Sequence, residues 1–372
     1  MIVITTITLV GSAVAELQFN TRVDLQLAIN ARDTVQAEYA ALSAMRVRAL
    51  LLKNGRLLEQ GMQKVAQSMG IESSLIPPLG SLLTIVPINC SLLSAITKSI
   101  EDNNIDQAKD DEENQFFNSV ECISTCNSEH GKISLPAMAL SHPSNAVSAQ
   151  QQLLGLLSDP KLEHYFQEDS QRGNHAESPA ELINAIIDWI DTDKVQTGTQ
   201  VGDEDRYYSY LRDPYRTKNA PFDSVAELML VHGINDELYD ILKKRVTIYK
   251  TSSQIEIGTA DDITLAIGIC SALTEPGYCS TLLGTPVFWT ALNEMRGQNS
   301  SGLITLNVTI LKTILDSIGV PYDEKILGQT FTDRASTTWY SIEAEGINGN
   351  ARSIMRSIYQ TQEDQYYYFH VE

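Results

Sequence analysis

Between Ile2 and Lys53 the chain has no proline and one glycine, Gly11. Little in that stretch forces a turn. From Phe19 onward, apolar residues return at Val23, Leu27, Ala31, Val35, Tyr39, Leu42, Met45, Ala49 and Leu52, always three or four positions apart. That is the repeat of one helix face. Arg22, Asp24, Arg32, Asp33, Glu38, Arg46 and Arg48 fall between those positions. An unbroken helix over 2–53 is about 75–80 Å long at 1.5 Å per residue. Few globular domains need such a rod, whereas a membrane-anchored stalk or a filament subunit does. Two ordinary helices with a bend near Gly11 are the alternative.

The first residues sharpen the choice. Ile2 to Ala15 carry no charge, and Glu16 ends the run. The run is shorter than the roughly 20 residues a membrane-spanning helix needs. It lacks the basic stretch that opens a secretory signal, although Ala13-Val14-Ala15 fits a small-x-small cleavage pattern. One reading is a buried strand or core helix. The other is a membrane helix whose first residues lie upstream of this chain.

The remaining sequence suggests a host with an insertion. At 372 residues the chain suits two packed units, or one large unit with an insert. Acids outnumber bases 47 to 27, for a net charge of −20. Phosphates would be repelled, so no large nucleic-acid surface is expected. The acidic run 101–114 reads as a solvated loop. Strand patterns occupy 116–123 and 132–135, with a turn at 127–131 between them. Helical patterns fill 150–157, 179–190, 225–231 and 237–242, then 261–272, 286–295 and 308–318. Strands return at 337–346, 350–359 and 366–371, with Asn348-Gly349 as a hairpin signal. Strands flanking a helical block point to an α+β host carrying an inserted helical domain.

Five cysteines are present. Cys122 with Cys126, and Cys270 with Cys279, are close enough in sequence to close short loops in an oxidising compartment. Cys90 is then a buried thiol, and five reduced thiols are the alternative. No cysteine spacing fits a zinc site.

Asp188, Asp191, Asp193, Asp203, Glu204 and Asp205 put six carboxylates within eighteen positions. Ca²⁺ takes about six to eight hard oxygen ligands, which loops supply well. Asp191-x-Asp193 starts like an EF-hand loop. Gln196 and Gly202 stand where that loop needs Gly and Glu, so it is not one. A solvated acidic loop is the rival reading. Clustered like charges repel and a long loop loses entropy on ordering, and a cation offsets both. Further on, 223–238 places two short helices around His232-Gly233-Ile234. That resembles a helix-hairpin-helix, whose amides can hold a DNA phosphate. Glu227, Asp236, Glu237 and Asp240 crowd it with acids, so a packing motif is favoured. No G-x-S-x-G, H-E-x-x-H, P-loop or G-x-G-x-x-G occurs. A non-enzymatic role is therefore expected over a calcium-dependent hydrolase.

Several stretches together resemble the K-type minor pseudopilins of bacterial type II secretion. Residues 19–41 look like the stem of that family's N-terminal helix. Residues 128–136 resemble its D-E-x-G-K-(I/L)-N-L-N segment, with Ser128, Ser134 and Pro136 departing from it. Residues 182–193 and 202–208 resemble its W-(I/L)-D-x-D…E-D-x-Y-Y region. Residues 214–228 resemble its P-Y-x-x-x-N-x-P-(L/F)-x-S-(V/L)-x-E-L run, and 255–260 resemble its (I/V)-N-(V/I)-N-T-A. The 182–228 region is the most specific part. The resemblance implies a pilin-like α+β fold, with a long N-terminal helix, an antiparallel sheet and a large helical insertion. Its parts would be an assembly helix at 1–53, a first pilin-like part at 54–144, the inserted domain with the calcium loop at 145–325, and closing strands at 326–372. It also implies Ca²⁺ on some of the six acids and I- and J-type minor pseudopilins as partners. A single inner-membrane anchor would leave the globular part in the periplasm, at the tip of the pseudopilus. The family's basic leader before the hydrophobic helix does not stand in this sequence. The helix-hairpin-helix DNA module is the alternative function.

Overall fold

The computed structural model describes residues 2–68, 86–91, 120–139, 143–166, 176–198, 202–275, 279, 282, 284–294, 306–333 and 339–372. The acidic run 101–114 and the first residues of the strand expected at 116–123 lie outside them. The chain divides into two compact units. The first comprises Met1–Leu58, Leu82–Asn127 and Tyr340–Glu372; the second comprises Glu59–Ser81 and Ser128–Trp339.

The opening helix, α1, runs unbroken from Ile2 to Ser68, joining the 2–53 rod to the helical pattern that continues over 57–69. Asn54-Gly55 does not stop it, because one glycine costs a helix interior only about 1 kcal/mol, and no proline follows until Pro77. There is no bend into two helices at Gly11. Of the described helices, α1 alone is long and apolar enough to cross a membrane by length and composition. The uncharged run of 2–15 understated this, since Glu16 is the sole charge as far as Phe19.

In the first unit, α1 packs against a five-stranded sheet of order β1-β2-β7-β8-β9. These strands are β1 (Ile88–Asn89), β2 (Glu121–Ser128), β7 (Trp339–Asn348), β8 (Ala351–Gln360) and β9 (Gln365–Val371). β7 and β8 form the expected hairpin, with Gly349 at φ +58°. The buried face of α1 is small: Ala37, Ala40, Ala41, Ala44 and Ala49, with Met45 and Leu52. Those alanines let the helix approach β7 closely. A Cβ at Gly346 would overlap the backbone of Ala37 and Ala41. Tyr340, Ile342, Ala344, Met355 and Tyr359 complete this core. Arg48 is fully buried there and donates to the Ser124 hydroxyl and carbonyl.

The cysteine pairing differs from one expectation. Cys270–Cys279 forms, but Cys90 joins Cys122, and Cys126 is the buried thiol. β2 is extended and alternates exposed with buried residues, so Cys122 and Cys126 face the same side. Four residues of strand separate them by about 13 Å, beyond the roughly 4.4–6.8 Å Cα spacing of a disulfide. Burial, against the nearby Arg48 charge, pushes the Cys126 thiol up to about 11.

The second unit is mainly helical and holds two cores. One gathers β3 (Ile133–Ser134), α2 (Pro143–Leu157), α3 (Pro179–Ile190), α4 (Asp236–Leu242) and β4 (Val246–Thr247). The other gathers β5 (Ile255–Glu256), α5 (Asp262–Ala272), α6 (Pro286–Asn293), α7 (Val308–Ser317), α8 (Glu324–Thr330) and β6 (Phe331–Thr332). Short parallel pairs, β3 with β4 and β5 with β6, knit its ends together. Its main segment is Ser128–Trp339, a wider span than the 145–325 that the resemblance implies for an inserted domain. The segments 128–136 and 255–260 meet face to face, for a Cβ at Gly131 would lie 2.7 Å from the Thr259 carbonyl. Around that contact Ser128 donates to Glu256 (2.7 Å), and Lys250 donates to the carbonyls of His130 (3.0 Å) and Gln254 (2.8 Å). Burial and the Lys250 charge hold His130 down to about 4.

Candidate metal centre

The candidate centre is built at the C-terminal end of α3. Ser178 caps the helix by accepting from the Glu181 amide, and Pro179 occupies its first turn, a combination that fixes a helix start. Leu182, Ile183, Ile186, Trp189 and Ile190 turn into the core. Asp188 lies on the last turn and is buried, and Asp191 is the residue that closes the helix. Three residues apart, the two acids share a helix side. The helix dipole is negative at this end, so both carboxylates sit where a helix disfavours them.

The loop then returns to them. Val195 bridges Asp203, and the Gln196 amide donates to the Gly202 carbonyl at 3.0 Å. Asp203 caps a single 3-10 turn, Glu204–Arg206, by accepting from the Asp205 amide. That turn delivers Glu204, 2% exposed. Carboxylate oxygens of Asp188, Asp191 and Glu204 all lie within 4.8 Å of one another. The six expected residues thus separate by role. Asp193 is exposed, accepts from the Val195 amide (2.8 Å), and adds negative potential to the three. Asp205 accepts from the amide and hydroxyl of Thr217 at 2.9 and 3.0 Å. Asp203 and Asp205 shape the loop with the oxygens just described.

The carboxylates at the centre are only partly hydrogen-bonded. One oxygen of Asp191 and one of Glu204 are buried with no hydrogen-bond partner, as are the side-chain carbonyls of Gln196 and Asn219. Burial, then the neighbouring acids, pushes Asp191 up to about 6 and Glu204 up to about 7. Burial raises Asp188 as well, against the Thr197 amide that donates to it at 2.8 Å. Buried carboxylates without partners are costly. The donors are all hard oxygens with neither nitrogen nor sulfur, which suits Ca²⁺ over zinc.

Residues outside the acidic cluster also shape the centre. Asn219 sits at φ +50° and donates to the Asp193 carbonyl at 2.6 Å. Thr217 reaches both Glu204 and Asp205. Both stand in the 214–228 run, so that run wraps the loop. Tyr207 donates to Glu181 (2.7 Å) and stacks on His232 with centroids 3.8 Å apart. The helix-hairpin-helix resemblance holds only in outline. A 3-10 turn at Val225–Leu230 and α4 flank Gly233 at φ +86°. Residues 231–234 are buried, so the hairpin packs inward and presents no surface to a phosphate.

Fold and centre together define a class: a chain with a long helix exposed over its first half, a sheet-backed first unit, and a helical unit holding an oxygen-lined acidic cluster. Residues 131–251, which contain the whole centre, match the family described as type II secretion system (T2SS), protein K. The type II secretion system protein K of Pectobacterium carotovorum subsp. carotovorum is 36% identical over 67 residues. That stretch is 18% of this chain and spans only 20% of the relative's length. A chain in the crystal structure of the GspK-GspI-GspJ complex from the enterotoxigenic Escherichia coli type 2 secretion system superposes with a TM-score of 0.47 at 18% identity. The superposition covers 68% of this chain and 80% of that one.

Proposed function

We propose that this chain is a K-type minor pseudopilin, a non-enzymatic subunit at the tip of a type II secretion pseudopilus. The observation that carries the reading is the protein K match over 131–251, joined in one chain to a helix whose residues 2–32 are all exposed. That half of α1 exposes Ile2, Ile4, Ile7, Leu9, Leu17, Phe19, Leu25 and Leu27 at 60% or more. So much exposed apolar surface needs a lipid or protein neighbour. Its first turns enter the inner membrane, the rest packs beside the helices of I- and J-type partners, and the globular units lie in the periplasm. The two disulfides fit that oxidising compartment. A helical unit of roughly two hundred residues is hard to repeat along a tightly packed fibre, which favours the fibre's end.

In this reading Asp188, Asp191 and Glu204 hold one Ca²⁺, with the Gln196 and Asn219 carbonyl oxygens close at hand. Bound calcium neutralises the buried charge and fixes the loop between α3 and the Tyr207-Tyr208 pair. The test is assembly. The detergent-solubilised chain mixed with I- and J-type minor pseudopilins forms a stable complex, read by size exclusion with light scattering. Failure to associate at high concentration rejects the reading. Calcium is tested apart from it, by titration calorimetry on wild type and Glu204→Gln. No heat with wild type removes the metal and leaves the assembly role standing.

A further inference from the structure

A cleft of about 650 Å³ opens in the second unit, between α2, the turn 252–254 that leads into β5, and the ends of α5 and α8. That volume falls within the roughly 300–1,000 Å³ of small-ligand sites, which are mostly apolar. This one is not. Ten described residues line it, none of them charged, and eight carry a side-chain hydroxyl or carboxamide. Two helix faces make its walls. Val147, Ser148 and Gln151 share one turn of α2, and Ile326, Gln329 and Thr330 share one turn of α8. Bonds behind the lining orient its hydroxyls. Gln152 is fully buried and donates to the Ser148 hydroxyl oxygen (3.3 Å) and the Ser253 carbonyl (3.0 Å), which ties α2 to the turn. The Gln254 amide donates to the Ser252 hydroxyl oxygen at 3.2 Å. Ser148 and Ser252 thus accept from behind and have an O–H left to donate. Ser271 works the other way: it donates to the Gly268 carbonyl at 2.7 Å and keeps its lone pairs for accepting. Gln151, Gln254 and Gln329 each bring a donor and an acceptor.

We infer that this cleft binds a neutral oligosaccharide. Fixed donors interleaved with fixed acceptors match sugar hydroxyls, each of which both donates and accepts. An anion calls for Lys or Arg, and none lines the cleft among the described residues. α5 and α8 also end there, through Ser271 and Thr330, and the negative end of a helix disfavours an anion. A cation calls for a carboxylate, equally missing from that lining. A peptide wants a free strand edge or an apolar groove. β5 beside the cleft is buried, and the walls are polar. Val147 and Ile326, 49 and 40% exposed, supply the apolar contact that the C–H face of a sugar ring takes. The inference concerns the second unit alone and does not depend on the filament reading.

The test uses the full chain in micelles of a detergent without a sugar headgroup. The probes are three neutral trisaccharides: maltotriose, cellotriose and chitotriose. Saturation-transfer NMR titrations are expected to show at least one of them binding with a Kd of about 1 mM or tighter. Gln151 and Gln329 are exposed, so Gln151→Ala and Gln329→Ala should each weaken that binding at least fivefold with an unchanged melting temperature. Trigalacturonate, the cationic glucosamine trimer and the peptide tetraserine are the comparisons, each expected to bind at least tenfold more weakly. No binding by any neutral trisaccharide at about 10 mM, a concentration that would half-fill even a site of 10 mM Kd, overturns the inference. So does binding that neither variant weakens, or a charged trimer that binds as well as the neutral one. Tetraserine binding as tightly as the best sugar makes the cleft a peptide site and overturns the inference too. Formation or failure of the I- and J-type complex leaves each of these outcomes as it is, so the two readings fall separately.

Discussion

Two buried charged sites, one in each unit, are treated in opposite ways. In the first, α1 meets the sheet through alanines and Gly346, and Arg48 is satisfied by Ser124. In the second, three acids converge with buried oxygens left unpartnered. A core closed by backbone contact tolerates no added atom, whereas a cluster short of positive charge improves when something is added. Stability should therefore be sensitive to side-chain volume in one unit and to ions in the other.

The largest expected effect sharpens the first half of that contrast. Gly346→Val forces atoms into the Ala37–Ala41 backbone, and we expect more than about 4 kcal/mol of destabilisation in denaturant melts. Gly328→Val, at a position with nothing within 4 Å of the added Cβ, serves as the control. Equal melts for the two variants would mean that the close approach does not exist. Next, Cys90→Ser with Cys122→Ser opens a 32-residue loop. Loop entropy puts the loss at about 3–4 kcal/mol, and a smaller loss is expected for Cys270–Cys279, which spans 9.

Acid probes the second unit away from the metal centre. His130 is held neutral, its pKa lowered from 6.5 to about 4. Its contribution is complete above about pH 6.5 and is lost as pH falls toward 4, because the unfolded chain takes up the proton first. The full loss is about 3 kcal/mol. His130→Gln should flatten the stability curve in that window, and an unchanged slope would clear His130 of the effect. Chelation gives a comparable change. At calcium one hundredfold above its dissociation constant the stabilisation is about 2.7 kcal/mol, so EGTA should lower the melting temperature by several degrees. Glu204→Gln should abolish that difference, while the first unit's transition stays put. The smallest effect belongs to Leu27→Asp on the exposed half of α1, within about 0.5 kcal/mol, although the same variant should block assembly with partner helices.

The rod was legible because its signal is local: three-and-four spacing without proline survives any tertiary context. The hairpin at Asn348-Gly349 and the acidic loop were local too. What escaped reading depends on contacts distant in sequence. Cys90 and Cys122 are 32 residues apart, and their pairing follows from strand order. The pairing of β3 with β4, more than a hundred residues later, ties Ser128 onward to the second unit. Spacing gathered six acids but not the division of labour among them, since an oxygen taken by a turn cannot be told in sequence from one facing inward. Thr217 and Asn219 carried no charge to betray them. Their one trace was the 214–228 run.

The placement of the cysteines on β2 carries a hazard for assembly. Residues 122 and 126 occupy the same side of an alternating strand, so sliding the strand by four positions keeps every apolar side chain on its proper side. Hydrophobic patterning is blind to that error. Oxidation of Cys90 with Cys126 in its place would lock the slipped register covalently. The correct product then protects itself, because a thiol sequestered and held near 11 has almost no thiolate with which to attack the finished bond. Quality control for this sheet is thus a matter of which sulfur is hidden first.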